Sequence, residues 1–383
     1  MIIINVHTQK GLKQIPSEFA KAGFELMNEI ERLRKKIDEI DDKILKLLNE
    51  RADIVLEIGR VKSNKKTKFY SPERERQILE RLTAINKGPF PNEPLKVIYR
   101  EILSASLSLE KPLKVACLGP LATFTHVAAI RHFGSSAVFV PVTTIKDVFD
   151  TVLSKKADFG VVPIENSNEG VISYTLDLFT DYDLKVSAEI MLRIVHNLLS
   201  RSGKKERIKK IYSFTPATSQ CRRWLANNMP GIPIIEATST ANAAELAAKD
   251  NEAAAIASEL AAEIYNLQFV ERSIEDNKDN HTRFLVISEE YPRKSGKDKT
   301  SIMFSVKNKP GALYNILEPL KKANINLTKI ESRPSKRKAW EYIFFADMEG
   351  HIEEKRLKKA IEAVKENCLY LKILGSYPHG GLS

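Results

Sequence analysis

Within Asn280-His281-Thr282-Arg283-Phe284 the sequence places an amide, a hydroxyl and a guanidinium four residues apart or less. A hydroxyl can donate a hydrogen bond to a departing oxygen, and a guanidinium can pair with a carboxylate. The stretch follows a polar loop, Ile274-Glu275-Asp276-Asn277, and runs into Phe284-Leu285-Val286-Ile287, which reads as a buried strand. A loop-to-strand edge can hold such groups still.

A second set of candidates is cationic. Ile30, Leu33, Ile37, Ile40, Ile44, Leu47, Ile54, Ile58 and Val61 recur at steps of three and four, the period of a long amphipathic helix. Arg51 falls in that stripe. On a buried seam its guanidinium requires an internal salt bridge, a route to water or a bound anion. Lys62, eleven residues on, returns to within about 20° of the same face, roughly 16 Å along the axis. Arg34 lies about 100° around from both, so an anion shared by all three takes Arg34 from a second chain.

The elements that position these groups follow from hydrophobic patterning. From Leu113 onward short apolar runs alternate with helical stretches, which predicts parallel sheets covered on both faces, with ligands at the carboxyl ends of strands. Thr123-Phe124-Thr125, Glu165-Asn166-Ser167-Asn168-Glu169-Gly170 and Ser239-Thr240 occupy such ends. Each taken alone could equally be a helix cap or a turn. Residues 291–300 read as a linker, and the order βαββαβ that follows is ferredoxin-like. Pro310-Gly311 opens its first helix, where backbone N–H groups are available to a carboxylate.

The 383 residues suit two to four domains. The net charge of +11 is concentrated toward the C-terminus, and its densest run, Lys336-Arg337-Lys338 beside Trp340, reads as a solvated turn. No nucleic-acid-binding motif accompanies it. No apolar run reaches membrane-spanning length and no secretory signal opens the chain, so a cytoplasmic protein is expected, with neither nucleic acid nor membrane as partner. Cys117, Cys221 and Cys368 have neither disulfide-framework nor metal-ligand spacing. No metal and no cofactor are expected.

Three family resemblances cover all but the first two dozen residues. Leu33-Arg-Lys-Lys-Ile-Asp-Glu-Ile-Asp, Glu50-Arg51, Gly59-Arg-Val-Lys62 and Glu73-Arg-Glu-Arg resemble the all-helical chorismate mutases, dimers of intertwined long helices. That resemblance implies that Arg51 and the partner chain's Arg34 hold the two carboxylates of chorismate. It places Lys62 at the ether oxygen, Glu75 at the ring hydroxyl, Ser106 at a carboxylate and Arg74 among the substrate-binding positions. Glu110 falls where some relatives have an amide. As a carboxylate it donates only when protonated, so burial is expected to raise its pKa and weaken mutase turnover at alkaline pH.

Gly119-Pro120, Thr123-Phe124-Thr125, Val162-Pro-Ile-Glu-Asn-Ser-Asn-Glu-Gly170, Gln220-Cys221-Arg222, Ser239-Thr240-Ala241 and Asn280 to Phe284 resemble prephenate dehydratase. This implies two lobes of periplasmic-binding-protein type with substrate in the cleft. Thr282 would lie beside the departing hydroxyl and Arg283 would pair with a carboxylate. Thr123, Thr125, Glu165, Asn166, Ser167, Ser239, Thr240, Asn280 and Phe284 would line the substrate. Relatives usually have glycine at Ala122 and His-Pro-Gln at Phe214-Thr215-Pro216, which leaves the effect of both departures open.

Gly311-Ala312-Leu313 and Glu331-Ser332-Arg333-Pro334 resemble the ACT regulatory domain, which implies feedback inhibition by L-phenylalanine bound between paired domains. The expected organisation is an extension over 1–25, a helical mutase module over 26–112, a dehydratase domain over 113–290 and an ACT domain over 298–383. The expected partners are chorismate, prephenate, L-phenylalanine and at least a second copy of the chain. A non-catalytic amino-acid sensor would combine the same cleft and C-terminal module, but gives no reason for Arg51 on an apolar seam. A prephenate dehydrogenase would need a Gly-x-Gly-x-x-Gly loop that the sequence lacks.

Overall fold

The computed structural model describes residues 17–65, 70, 72–334 and 342–380. Most of the first 25 residues, the run 336–338 and Trp340 lie outside the described residues. The chain divides into two compact units, 1–66 and 67–383. The described residues of the first form one helix, α1 (Ser17–Lys65), carrying the stripe read from the sequence. Ile37, Ile40, Ile44 and Leu47 on it are between 50% and 62% exposed, so the seam expected to be buried is open along this part.

The second unit begins with α2 (Pro72–Ile85) and α3 (Asn92–Glu110). α3 packs on the α/β region: Leu107 joins the core around Val115 and Phe133, and Glu101 accepts hydrogen bonds from the Ser135 hydroxyl and backbone. The helical segment expected over 26–112 is therefore shared between the two units.

The first lobe comprises β1 (Lys114–Leu118), α4 (Phe124–Phe133), β2 (Val138–Val142), α5 (Ile145–Leu153), β3 (Phe159–Asn166), β4 (Gly170–Val171), α6 (Ser173–Asp181) and β5 (Lys185–Arg193). The chain then crosses to a second lobe: β6 (Asn197–Ser200), β7 (Lys210–Ser213), α7 (Thr215–Gln220), α8 (Arg222–Asn228), β8 (Ile234–Glu236), α9 (Thr240–Ala248), β9 (Ala253–Ala257), α10 (Glu259–Ile264) and β10 (Gln268–Glu271). It returns as β11 (His281–Ser288), which inserts between β3 and β5 to give the order β2-β1-β3-β11-β5.

The sheets are mixed, where all-parallel sheets were expected. β11 enters at the end where β5 leaves, so it runs antiparallel to both its neighbours. In the second lobe β7, β8 and β9 are parallel, while β6 pairs antiparallel with β9 and β10. Two chain segments cross between the lobes side by side. The Ile194 N–H donates to Asn280 O and the Ile274 N–H to His196 O, each at 2.8 Å.

The C-terminal module runs β12 (Asp298–Ser305), α11 (Ala312–Lys322), β13 (Leu327–Pro334), β14 (Tyr342–Glu349), α12 (Lys355–Glu366) and β15 (Tyr370–Pro378), the βαββαβ order expected from the sequence, and its sheet runs β13-β14-β12-β15 with every pair antiparallel. Gly311 takes φ 77° at the entry to α11, a left-handed conformation that an L side chain rarely adopts. β15 lies against β5 so closely that a Cβ at Gly375 would overlap the Val186 carbonyl. Met303, Phe345, Leu374 and Tyr377 share one core with Phe149, Phe179 and Leu285 of the first lobe.

Candidate active site in the inter-lobe cleft

Successive side chains of a strand point to opposite faces, and β11 uses both. Phe284 and Val286 enter the core beneath α4, while Leu285 and Ile287 join the core shared with the C-terminal module. Phe284 is thus a core residue, 2% exposed, rather than the substrate-lining residue expected.

Arg283 corrects the expectation placed on it. Its Nε donates to Glu189 Oε2 at 2.8 Å, Nη2 reaches Tyr377 Oη at 3.2 Å, and Nη1 makes an ion contact with Asp347 Oδ2 at 2.7 Å. Lys299 donates to the same Glu189 carboxylate at 2.8 and 2.9 Å. Two cations face two anions, all four residues being at most 9% exposed. Burial alone would lower the pKa of Arg283, but Tyr377, Asp347 and Glu189 together raise it. The guanidinium is already neutralised, so it ties β11 to the C-terminal sheet and does not offer a charge to a cleft-bound carboxylate.

Thr282 is 8% exposed and belongs to a polar network built from both crossings. Asn166 Nδ2 donates to Thr282 Oγ1 at 2.8 Å and to Asn280 Oδ1 at 2.9 Å. The Asn166 carbonyl oxygen in turn accepts the backbone N–H groups of Asn168 and Glu169 at 2.9 and 3.0 Å. Asn280, fully buried, donates through Nδ2 to Gln220 Oε1 at 2.8 Å, and the His196 ring lies 2.8 Å from that same oxygen. Because an amide N–H already occupies a lone pair of Thr282 Oγ1, the threonine proton is directed elsewhere.

Other expected site residues take more local positions. Thr123 caps α4, accepting from the His126 N–H while donating to Leu118 O, and Ser239 caps α9 by accepting from the Asn242 N–H. Thr125 and Thr240 are buried in the first turns of those helices. Ala122 has φ 74°, a left-handed conformation that an L side chain rarely adopts. Ser167 accepts from the His281 N–H, and Glu165 is bound by Lys329 at 2.6 Å. Glu331 and Arg333 share the half-buried face of β13 with Lys329, and Arg333 pairs with Asp177 at 3.0 Å. Ser332 and Pro334 lie on its exposed face, and Ala312 and Leu313 in the first turn of α11.

A cavity of about 350 Å³ opens beside the network, lined by Asn168, Glu169, Ser219, Gln220, Arg223, Asp276 and Asn277. Its volume falls in the range of small-molecule sites. Asp276 accepts the backbone N–H groups of Arg223 and Trp224, and Glu169 accepts from Gln220 Nε2 at 3.4 Å. Among the described residues the Arg223 side chain makes no ion pair. Arg223 and His196 were missed from the sequence because nothing in their local pattern marks them; Gln220 was visible only inside a family motif.

The mutase candidates divide between the two units. Arg34, Arg51 and Lys62 lie on α1, while Arg74 and Glu75 lie on α2 and Ser106 and Glu110 on α3. Burial pushes the Glu75 carboxyl up to about 7, against the opposing charge of Arg100. Ser106 donates to Ile102 O at 2.6 Å and Glu110 is the last, half-buried residue of α3.

A two-lobed α/β cleft with a threonine–amide network at the crossings, joined to a ferredoxin-like module, defines a dehydratase of the prephenate class with an attached ACT domain. The family model for prephenate dehydratase matches residues 115–292, that for chorismate mutase type II matches 33–111, and that for the ACT domain matches 300–366. The chain is 54% identical over 356 residues to the bifunctional chorismate mutase/prephenate dehydratase of Aquifex aeolicus, covering 92% of this chain and 98% of the relative. Identity to the Pseudomonas aeruginosa protein of the same description is 42%, with the same coverage. A crystal structure of prephenate dehydratase in complex with L-Phe from Arthrobacter aurescens, 32% identical, superposes with a TM-score of 0.65 over 70% of this chain and 90% of that one. The chain belongs to the bifunctional chorismate mutase/prephenate dehydratase family.

Proposed function

We propose that the chain rearranges chorismate to prephenate on its helical segment, converts prephenate to phenylpyruvate in the inter-lobe cleft, and slows when L-phenylalanine binds the ACT domain. The orientation of Thr282 carries the second step. Prephenate loses its ring carboxylate as carbon dioxide; the electrons of that carbon–carbon bond complete an aromatic ring as the carbon–oxygen bond of the hydroxyl breaks. No general base is required. Thr282, with Asn166 donating to its oxygen, has its own proton to offer the departing oxygen. Its pKa is too high for it to act as a free acid, so the proton that completes the water comes through a relay or solvent. With Arg283 engaged elsewhere, Arg223 is the cation placed to hold a substrate carboxylate beside Gln220.

The first step is pericyclic and moves no proton, so cations that compact the substrate and stabilise charge on the ether oxygen suffice. Arg34 and Arg51 are seventeen residues apart on one continuous helix, about 26 Å along its axis. That span and the open apolar stripe favour a homodimer in which Arg34 enters the partner's site. A cytoplasmic setting fits a chain in which no described helix is long and apolar enough to cross a membrane.

The test supplies chorismate, then prephenate, to the full-length protein and follows phenylpyruvate with and without L-phenylalanine. Thr282→Ala is expected to abolish phenylpyruvate formation and leave mutase turnover in place. Equal loss of both activities overturns the assignment.

A further inference from the structure

His196 lies in the first inter-lobe crossing, 2% exposed, with its ring edge-on to Phe124 at 5.4 Å between centroids. Its backbone N–H donates to Glu275 Oε2 at 2.9 Å, and its Nδ1 is buried with no hydrogen-bond partner among the described residues. Its tautomer can be deduced without reference to the ring itself. Backbone N–H groups only donate, so those of Asn168 and Glu169 fix the Asn166 carbonyl oxygen toward them. Asn166 Nδ2 must then be the donor to Asn280 Oδ1, which makes Asn280 Nδ2 the donor to Gln220 Oε1. Gln220 therefore presents its oxygen inward, and the His196 Nε2 atom 2.8 Å away must carry a proton. Burial lowers the pKa of this ring, which favours the neutral form.

We propose that His196, as the neutral Nε2–H tautomer, is a positioning residue for the dehydratase reaction: it pins the Gln220 carbonyl inward, so that the Gln220 NH2 group faces the substrate cavity. The assignment rests on the function proposed above and names a residue for it. Without the imidazole donor the Gln220 oxygen keeps only Asn280, and its NH2 group only the long 3.4 Å hydrogen bond to Glu169. The amide can then turn over, presenting an acceptor where the substrate's anionic groups require a donor.

The experiment compares His196→Phe, His196→Asn and His196→Gln in the full-length protein. Phenylalanine keeps a ring against Phe124 and removes both nitrogens. Asparagine places its NH2 near the position of Nδ1, and glutamine places its NH2 near that of Nε2. The Phe and Asn variants are expected to lose about tenfold or more of dehydratase kcat/KM, and the Gln variant to recover most of it. In a Gln220→Leu background His196→Phe should add no further loss, since its effect passes through that amide. Mutase turnover is expected to stay unchanged, and the urea midpoint of each variant reports folding. Ring 15N shifts of the unmodified protein read the tautomer directly, whether or not the variants fold. Dehydratase activity of His196→Phe within twofold of the parent, rescue by Asn equal to that by Gln, an additive loss in the Gln220→Leu background, or an Nδ1–H tautomer each overturns the inference. Absence of dehydratase activity in the unmodified chain instead overturns the proposed function, and the 15N measurement still decides the tautomer.

Discussion

Lys329 Nζ of the ACT sheet lies 2.6 Å from Glu165 Oε2, one residue before the Asn166 amide that orients Thr282. The cation is 17% exposed and shares the face of β13 with Glu331 and Arg333. A ligand that shifts β13 would therefore pull on the strand end carrying the Asn166 amide. Lys329→Met is expected to raise the L-phenylalanine concentration for half-inhibition about fivefold or more, read from dehydratase titrations. An unchanged inhibition curve would assign the coupling to another contact.

Asn166→Asp inverts the polarity at Thr282. A carboxylate accepts the threonine proton that the amide leaves available, so the donor to the departing oxygen is withdrawn. Dehydratase kcat should fall about a hundredfold, on the scale of losing one transition-state donor. Retention of more than a tenth of parent activity, with the fold intact, would show that the threonine proton is not the group that matters.

Among the described residues, Arg283→Met leaves Glu189 and Asp347 with only Lys299 as a buried cation. Breaking such a network costs about 3–5 kcal/mol, so the urea midpoint should drop sharply, with Arg283→Lys intermediate. If Arg283 instead gripped substrate, Arg283→Lys would raise the KM for prephenate and leave the urea midpoint in place.

Glu75 contributes a pH dependence of its own. With its folded pKa raised to about 7 from an ordinary value near 4.5, the carboxyl holds more protons folded than unfolded between those values, so its contribution to stability falls as pH rises through that window and is constant above it. Glu75→Gln should raise the melting temperature at pH 8 relative to the parent and change it little at pH 4. If Glu75 binds the ring hydroxyl as a carboxylate, the mutase KM should improve as pH rises through 7 in the parent and stay flat in Glu75→Gln.

Arg34 and Arg51 provide a test of the dimer. Arg34→Ala and Arg51→Ala should each abolish mutase turnover. If one site takes the two arginines from different chains, mixing the inactive proteins under exchange should restore about a quarter of parent activity, because half the dimers are hybrids with one intact site each. No recovery would place both arginines in one subunit's site.

Much of this architecture is legible in residue patterns: the period of α1, the βαββαβ order and the strand at Phe284–Ile287 all follow from local spacing. Pairing direction is not, because β11 is antiparallel only by virtue of where the chain re-enters the first lobe. Arg283 shows a different gap. Next to the Thr282 hydroxyl it resembles a substrate anchor, yet alternation along a strand already sends neighbouring side chains to opposite faces. What the sequence withholds is the identity of its partners, Glu189 and Asp347, which are 94 and 64 residues away. His196 is hidden for the same reason: its meaning comes from a crossing segment 84 residues later.

The core that Met303, Phe345, Leu374 and Tyr377 share with the first lobe limits how the chain can be divided. Trimmed after residue 290, the dehydratase would keep its motif intact while uncovering an oily sheet face and a pair of charges built for a dry interior. The C-terminal module is therefore a wall of the first lobe, and a fragment lacking it is expected to aggregate rather than to run uninhibited.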